Sequence, residues 1–184
     1  MKRTFIAVKI KPDEKLEEAV QDIRAQLKKE SLKWVDLNQV HITLSFLGDT
    51  SEDSIRDVSG MLTSRCAGFG EVDFSIRGIG IFRSMTDPRV IWAGITESDS
   101  LTGLYDLIRG GLDELGIVTE ERPFRPHLTL ARVRSLKNQR SLKALIDLYD
   151  GVEFQKTRVS EVVYFESILQ QTGPLYLPIK KIRL

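Results

Sequence analysis

The chain has 184 residues, 41% hydrophobic and 29% charged, with a formal net charge of +1. This composition excludes a disordered or fibrous chain and provides no overall charge to hold a polyanion, so a nucleic-acid partner has to be met by a local patch. The lone cysteine, Cys66, excludes an intrachain disulfide, and a total of two histidines excludes a three-histidine zinc site.

Charge enters Met1–Val8 too early for a secretion signal. No apolar run approaches the ~20 residues of a membrane helix, so a cytoplasmic protein is expected. Thr4–Ile10 is β-branched and reads as a first strand. Pro12-Asp13-Glu14 opens a helix over 13–30, with Leu16, Ala19, Val20, Ile23 and Leu27 at helical spacing. Lys33-Trp34-Val35 is a short extended piece, and Val40–Leu47 is a strand ended by Gly48-Asp49. A second helix is expected over 51–65. Strands Val72–Phe82 and Arg89–Ile95 should be joined by a polar turn containing Asp87-Pro88. Leu101, Leu104, Leu107, Ile108, Leu112 and Leu115 mark a third helix closed near Gly116. His127–Val133 is a strand, 137–149 a fourth helix, and Gly151–Leu169 and Leu175–Leu184 are β-rich, separated by Gln170-Gln171-Thr172-Gly173. Helices and strands mix without strict alternation, which favours an α+β fold over a doubly wound parallel sheet.

Both histidines open the same tetrapeptide frame, His41-Ile42-Thr43-Leu44 and His127-Leu128-Thr129-Leu130, 86 residues apart (127 − 41). Each half carries a helix, then a His-x-Thr-Leu strand, then another helix. We read this as a diverged internal duplication and expect one bilobal domain over 1–184. Strand alternation places His41, Thr43 and Ser45 on one face and Ile42, Leu44 and Phe46 on the other. It likewise separates His127, Thr129 and Ala131 from Leu128 and Leu130. The apolar faces can pack on helices, which leaves the His/Thr faces to line a groove between the halves.

An imidazole titrates near pH ~6.5, so one member of the pair can take a proton while the other gives one. Threonine hydroxyls can hold phosphoryl oxygens, and a nearby arginine can neutralise developing charge. Arg125 and Arg132 flank the second motif. Arg132, five residues after His127, has the wrong parity for an ideal strand and reaches the groove only if the strand ends or bulges before it. Arg125 has the right parity but precedes a proline. Strand parity alone leaves both open. The scheme calls for no cofactor and no metal. Trp34, Phe46, Phe82 and Trp92 are further candidates for stacking on a base, although core packing is the commoner fate of such residues, and Arg83 and Arg89 for contact with a phosphate backbone.

These residues resemble the 2H phosphoesterase superfamily, named for its paired His-x-Thr/Ser motifs, and within it the RNA 2′,3′-cyclic phosphodiesterases, also called 2′-5′ RNA ligases. The resemblance rests on Arg3–Val8, on Trp34-Val35 followed by Val40–Gly48, on Val90–Gly94 and on Phe124–Arg132. Between Gly48 and Gly70 little of it is visible. It implies two α+β lobes with antiparallel sheets flanked by helices around a central cleft. It also implies hydrolysis of a 2′,3′-cyclic phosphate RNA end to a 2′-phosphate. His127 would be the proton acceptor acting on water and His41 the proton donor to the 3′ oxygen. Thr43, Thr129 and Arg132 would bind the phosphate, and it is the resemblance that prefers Arg132 to Arg125. Run in reverse, the same site would join RNA ends through a 2′-5′ bond. The partner expected is RNA with a cyclic phosphate end, met by a monomer. Two alternatives share the motifs: a 2H enzyme acting on ADP-ribose cyclic phosphate or 2′-5′ oligoadenylate, and a non-catalytic protein that binds RNA ends.

Overall fold

A computed structural model describes residues 1–119, 123–171 and 173–184. Thr172, expected between the last two β-rich stretches, lies outside the described residues. The strands are β1 (Lys2–Lys9), β2 (Ser31–Trp34), β3 (His41–Thr50), β4 (Val72–Ser84), β5 (Asp87–Thr96), β6 (His127–Ser135), β7 (Glu153–Val159), β8 (Glu161–Gln170) and β9 (Gly173–Arg183). The helices are α1 (Glu14–Gln26), α2 (Glu52–Cys66), α3 (Asp99–Glu114) and α4 (Gln139–Leu148). The fold is α+β, and every strand pairing is antiparallel.

Three of the four helices, α1, α2 and α4, begin at a side chain that caps them. Asp13 accepts from the Leu16 amide at 2.9 Å, Ser51 from Ser54 at 3.1 Å and Asn138 from Ser141 at 3.1 Å. Their apolar stripes, such as Leu16, Val20 and Ile23 of α1 and Ile55, Val58 and Leu62 of α2, are buried in one continuous core. That core also takes Ile42 and Leu44 of β3 and Leu128 and Leu130 of β6, all at most 4% exposed. The apolar face of each motif strand is therefore spoken for, and the His/Thr faces are left outside it. Asp87 and Pro88 begin β5 instead of forming its turn, which sits at residues 85–86. Gly48 and Asp49 continue β3 instead of ending it. No helix of the described residues is long and apolar enough to cross a membrane.

One sheet has the order β3-β1-β8-β9 and the other β2-β6-β5-β4-β7. The two lobes are thus not contiguous halves of the chain. β2, from the N-terminal part, lies beside the second motif strand, and the C-terminal β8 and β9 extend the sheet of the first. This exchange ties the two motif strands together through the backbone. The Val35 amide, just past β2, donates to the Leu130 carbonyl in β6 at 2.9 Å. His41 then follows a single 3₁₀ turn, Leu37–Gln39, further along the same chain.

Candidate active site

Both motif strands carry a β-bulge at the same residue, the leucine of His-x-Thr-Leu. In β3, Ala7 pairs with Thr43 and Ile6 with Ser45, which leaves Leu44 as the extra residue. In β6, Trp92 pairs with Thr129 and Ile91 with Ala131, which leaves Leu130 extra. A bulge sets two residues against one and inverts the alternation beyond it. Leu130 and Ala131 are consecutively buried, and Arg132 turns to the face of His127 and Thr129. The parity objection to Arg132 disappears for this reason.

The first strand corrects an expectation in the same way. Phe46 does not share the core face of Ile42 and Leu44. It lies past the Leu44 bulge, 53% exposed, on the face of His41 and Thr43, and Ser45 does not line the cleft. Phe46 and Arg132 occupy the same place, five residues after each histidine. One lobe therefore offers the site an aromatic ring and the other a guanidinium.

His41, Thr43, His127, Thr129 and Arg132 all line one cleft of about 850 Å³ between the two sheets. Phe46, Trp34 and Phe82 line it too, as do Lys33 and Tyr176. Arg125, Trp92, Arg83 and Arg89 do not. Arg125 contributes only its backbone carbonyl, to His127. Arg83 and Arg89 pair with Asp87 at 2.7 and 3.2 Å in the β4–β5 hairpin. Trp34 carries the Arg24 guanidinium 5.1 Å from its ring centre, so one ring face is already engaged.

The two imidazoles are held identically. The His41 Nδ1–H donates to the Gln39 carbonyl at 2.8 Å, and the His127 Nδ1–H donates to the Arg125 carbonyl at 2.8 Å. A carbonyl only accepts, so each neutral ring carries its proton on Nδ1 and leaves Nε2 free for chemistry. Aromatic edges fix the ring planes. Phe82 meets His127 at 4.6 Å and 89°, and Tyr176 meets His41 at 5.1 Å and 85°, with Phe5 also 5.1 Å from His41. Phe82 is backed in turn by Trp92 at 5.5 Å. That indole lies flat over Gly80, where any Cβ would fall 2.4 Å from the ring, so the strand position needs glycine. Tyr176 and Phe82 were not singled out as ring supports by the sequence. They are far from the motifs along the chain, and only sheet pairing brings them in.

Burial pushes the His41 imidazole below its ordinary pKa, its carbonyl partner opposes this, and the positive charges of His127 and Arg132 add to the lowering. The His127 imidazole is lowered by burial first and then by Arg132, again against its carbonyl partner. Burial raises the Tyr176 phenol, while Arg132 and Arg3 pull it down. Arg132 thus acts electrostatically on both histidines and on Tyr176. The cleft gathers two free imidazole nitrogens, two hydroxyls and a guanidinium, a set suited to moving one proton on and one off while an anionic group is held.

Residues 12–166 match the 2′-5′ RNA ligase superfamily. The chain is 33% identical over 184 residues to an RNA 2′,3′-cyclic phosphodiesterase of Methanothermobacter thermautotrophicus, covering 99% of this chain and 98% of that one. It is 32% identical over 178 residues to one of Thermotoga maritima, covering 95% and 91%. Its fold is similar to that of TT0787 of Thermus thermophilus, with a TM-score of 0.82, 26% identity and coverage of 99% and 97%. The paired motifs on bulged strands around one cleft agree with the matched span: the chain belongs to the 2′-5′ RNA ligase superfamily of 2H phosphoesterases.

Proposed function

We propose that this chain hydrolyses RNA 2′,3′-cyclic phosphate ends to 2′-phosphates, without a metal, through His127 as proton acceptor and His41 as proton donor. The observation that carries the reading is the pair of Nε2 atoms left free by matched Nδ1–carbonyl bonds in the cleft that also takes Arg132. Relatives alike over nearly the whole chain bear the name of this activity. In the step, His127 Nε2 takes a proton from water, and the water oxygen bonds to phosphorus. The bond from phosphorus to the 3′ oxygen breaks, and the protonated His41 Nε2 gives its proton to that oxygen. Thr43, Thr129 and Arg132 hold the non-bridging oxygens as charge gathers on them. Both sheets build this one cleft, so we read residues 1–184 as a single bilobal unit. With an RNA 5′-hydroxyl in place of water, the reverse reaction forms a 2′-5′ bond, and the abundance of water makes hydrolysis the main direction.

Incubation with a 2′,3′-cyclic nucleotide and analysis of the product by phosphorus NMR tests this. A 2′-phosphate is expected, with turnover unchanged in EDTA. A 3′-phosphate, or turnover confined to ADP-ribose cyclic phosphate, overturns it.

The pH dependence follows from the lowered imidazoles. Activity is lost above the pKa of the acid and below that of the base, and both lie under the ordinary value. The kcat/KM optimum is therefore expected at or below pH ~6.5. In the complex, the substrate anion favours protonated imidazole, so the kcat profile should lie to higher pH than the kcat/KM profile. A pH–rate series on the cyclic mononucleotide checks both.

A further inference from the structure

A second cleft of about 390 Å³ lies between the end of β1 and the edge strand β7. It is lined by Lys9, Lys11, Lys156 and Arg158, and by one acid, Glu161. Arg158 is already engaged, at 2.7 Å from Asp73 and 3.5 Å from Glu71, and Glu161 is 3.9 Å from Lys181. Glu153 senses the charge of Lys156 but is bonded to Arg77 and Ser75. Among the described residues, Lys9, Lys11 and Lys156 form no ion pair. In a chain of net charge +1, four cations and one acid thus line one groove, and three of the cations hold no ion pair among the described residues.

The two walls of this groove are tied together. Gln155, 7% exposed, donates to the Lys11 carbonyl at 3.0 Å and accepts from the Asp13 amide at 2.9 Å. One buried side chain thus clamps the Lys11 segment to β7. Lys156 and Arg158 alternate with the buried Gln155 and Thr157 along β7, so both cations stand on its exposed face.

The groove borders the first motif strand. Lys9 is the register partner of His41, and such pairs stand about 5 Å apart at Cβ. It shares its strand face with Phe5, which touches the His41 ring. Lys9 is thus the residue through which the groove borders the strand of His41.

We propose that the Lys9–Lys11–Lys156 groove binds backbone phosphate of the RNA strand on the 5′ side of the reacting end. This rests on the reading of the site as an RNA cyclic phosphodiesterase. Lysine ammonium groups hold backbone phosphates as point charges, giving affinity without sequence preference. The groove would thus favour strands over mononucleotides, which are too short to reach it.

The test compares wild type with the Lys11→Ala/Lys156→Ala double variant on a 2′,3′-cyclic mononucleotide and on a cyclic-ended strand of about six nucleotides. We expect kcat/KM to fall about tenfold on the strand and to stay unchanged on the mononucleotide. Binding of a same-length RNA ending in a 3′-hydroxyl is measured alongside by fluorescence anisotropy across a salt series. Its log–log salt slope should lessen by about 0.7 for each lysine removed. Equal loss on both substrates, or no loss on either, overturns the proposal. Inorganic phosphate titrated by NMR separates a free-anion site. If phosphate saturates the Lys156 and Thr157 amides and RNA does not displace it, the groove is not a strand path and the proposal falls. If wild type turns over neither substrate, the enzymatic reading fails, and the anisotropy series still decides the groove.

Discussion

His41→Ala and His127→Ala are each expected to lower kcat/KM on a 2′,3′-cyclic nucleotide by about 10²–10⁴-fold, the usual contribution of a positioned acid or base. Each ring makes one backbone hydrogen bond, to the Gln39 or the Arg125 carbonyl, and otherwise rests on aromatic edges. Losing that bond costs about 1 kcal/mol, which lowers Tm by roughly 2–4 °C in a chain of this size. Steady-state kinetics with a circular dichroism melt separates loss of chemistry from loss of fold. Near-normal turnover in either variant would remove the two-histidine scheme. The two variants should also differ on the pH axis. His127→Ala should lose the acidic limb of the profile, set by the base, and His41→Ala the basic limb, set by the acid. The reverse pattern would exchange the roles proposed for them.

Arg132→Ala should lower kcat by about 10²–10³-fold, the cost of removing a preorganised donor to a developing oxyanion. Arg132→Lys should recover only part of this, because an ammonium group lacks the forked geometry of guanidinium. Arg132 also lowers both imidazoles. Its removal should therefore move both limbs of the kcat/KM profile to higher pH, a readout that general destabilisation would not produce. Arg125→Ala serves as the control. Its side chain does not line the cleft, and its carbonyl survives the substitution, so activity should stay close to wild type. An Arg125 variant as impaired as the Arg132 variant would count against the geometry of the bulge.

Much of the site was legible in the chain because its signals are local. Two His-x-Thr-Leu frames carry their own alternation, and three residues of regular strand suffice to put each histidine and threonine on one face. Helix positions followed from apolar stripes and capping residues such as Asp13 and Ser51, whose partners lie within the next turn. The strand limits were less legible. Gly48 and Pro88 read as breakers, yet both lie within strands. Gly48 adopts φ +68° beside the irregular pairing of β1 with β3, and Pro88 is the second residue of β5, directly after the turn at residues 85–86.

Phe46 and Arg132 mark the boundary of what alternation can reach. Each sits just past a bulge, and a bulge is a property of two strands, since it exists only when a neighbour's register skips a residue. In β3 the neighbour is β1, and in β6 it is β5. Counting along one strand assigns both side chains to the core, while pairing turns both into the cleft. The paired motifs are placed 86 residues apart, yet both bulge at the same leucine, so the duplication is visible in backbone geometry as well as in residue type.

The amino-acid sequence by itself determined which residues the paired motifs offer for chemistry, the face of each histidine and threonine and the α+β class, because these depend on residue type and short-range periodicity. Tertiary structure alone decided that β2 joins the second motif's sheet and β8–β9 the first's, that Tyr176 and Phe82 fix the ring planes, and that Arg132 faces the histidines. The physical reason is the same in each case. Hydrogen-bond register between strands distant in the chain is set by the packing of both sheets together, and no window along one strand contains it.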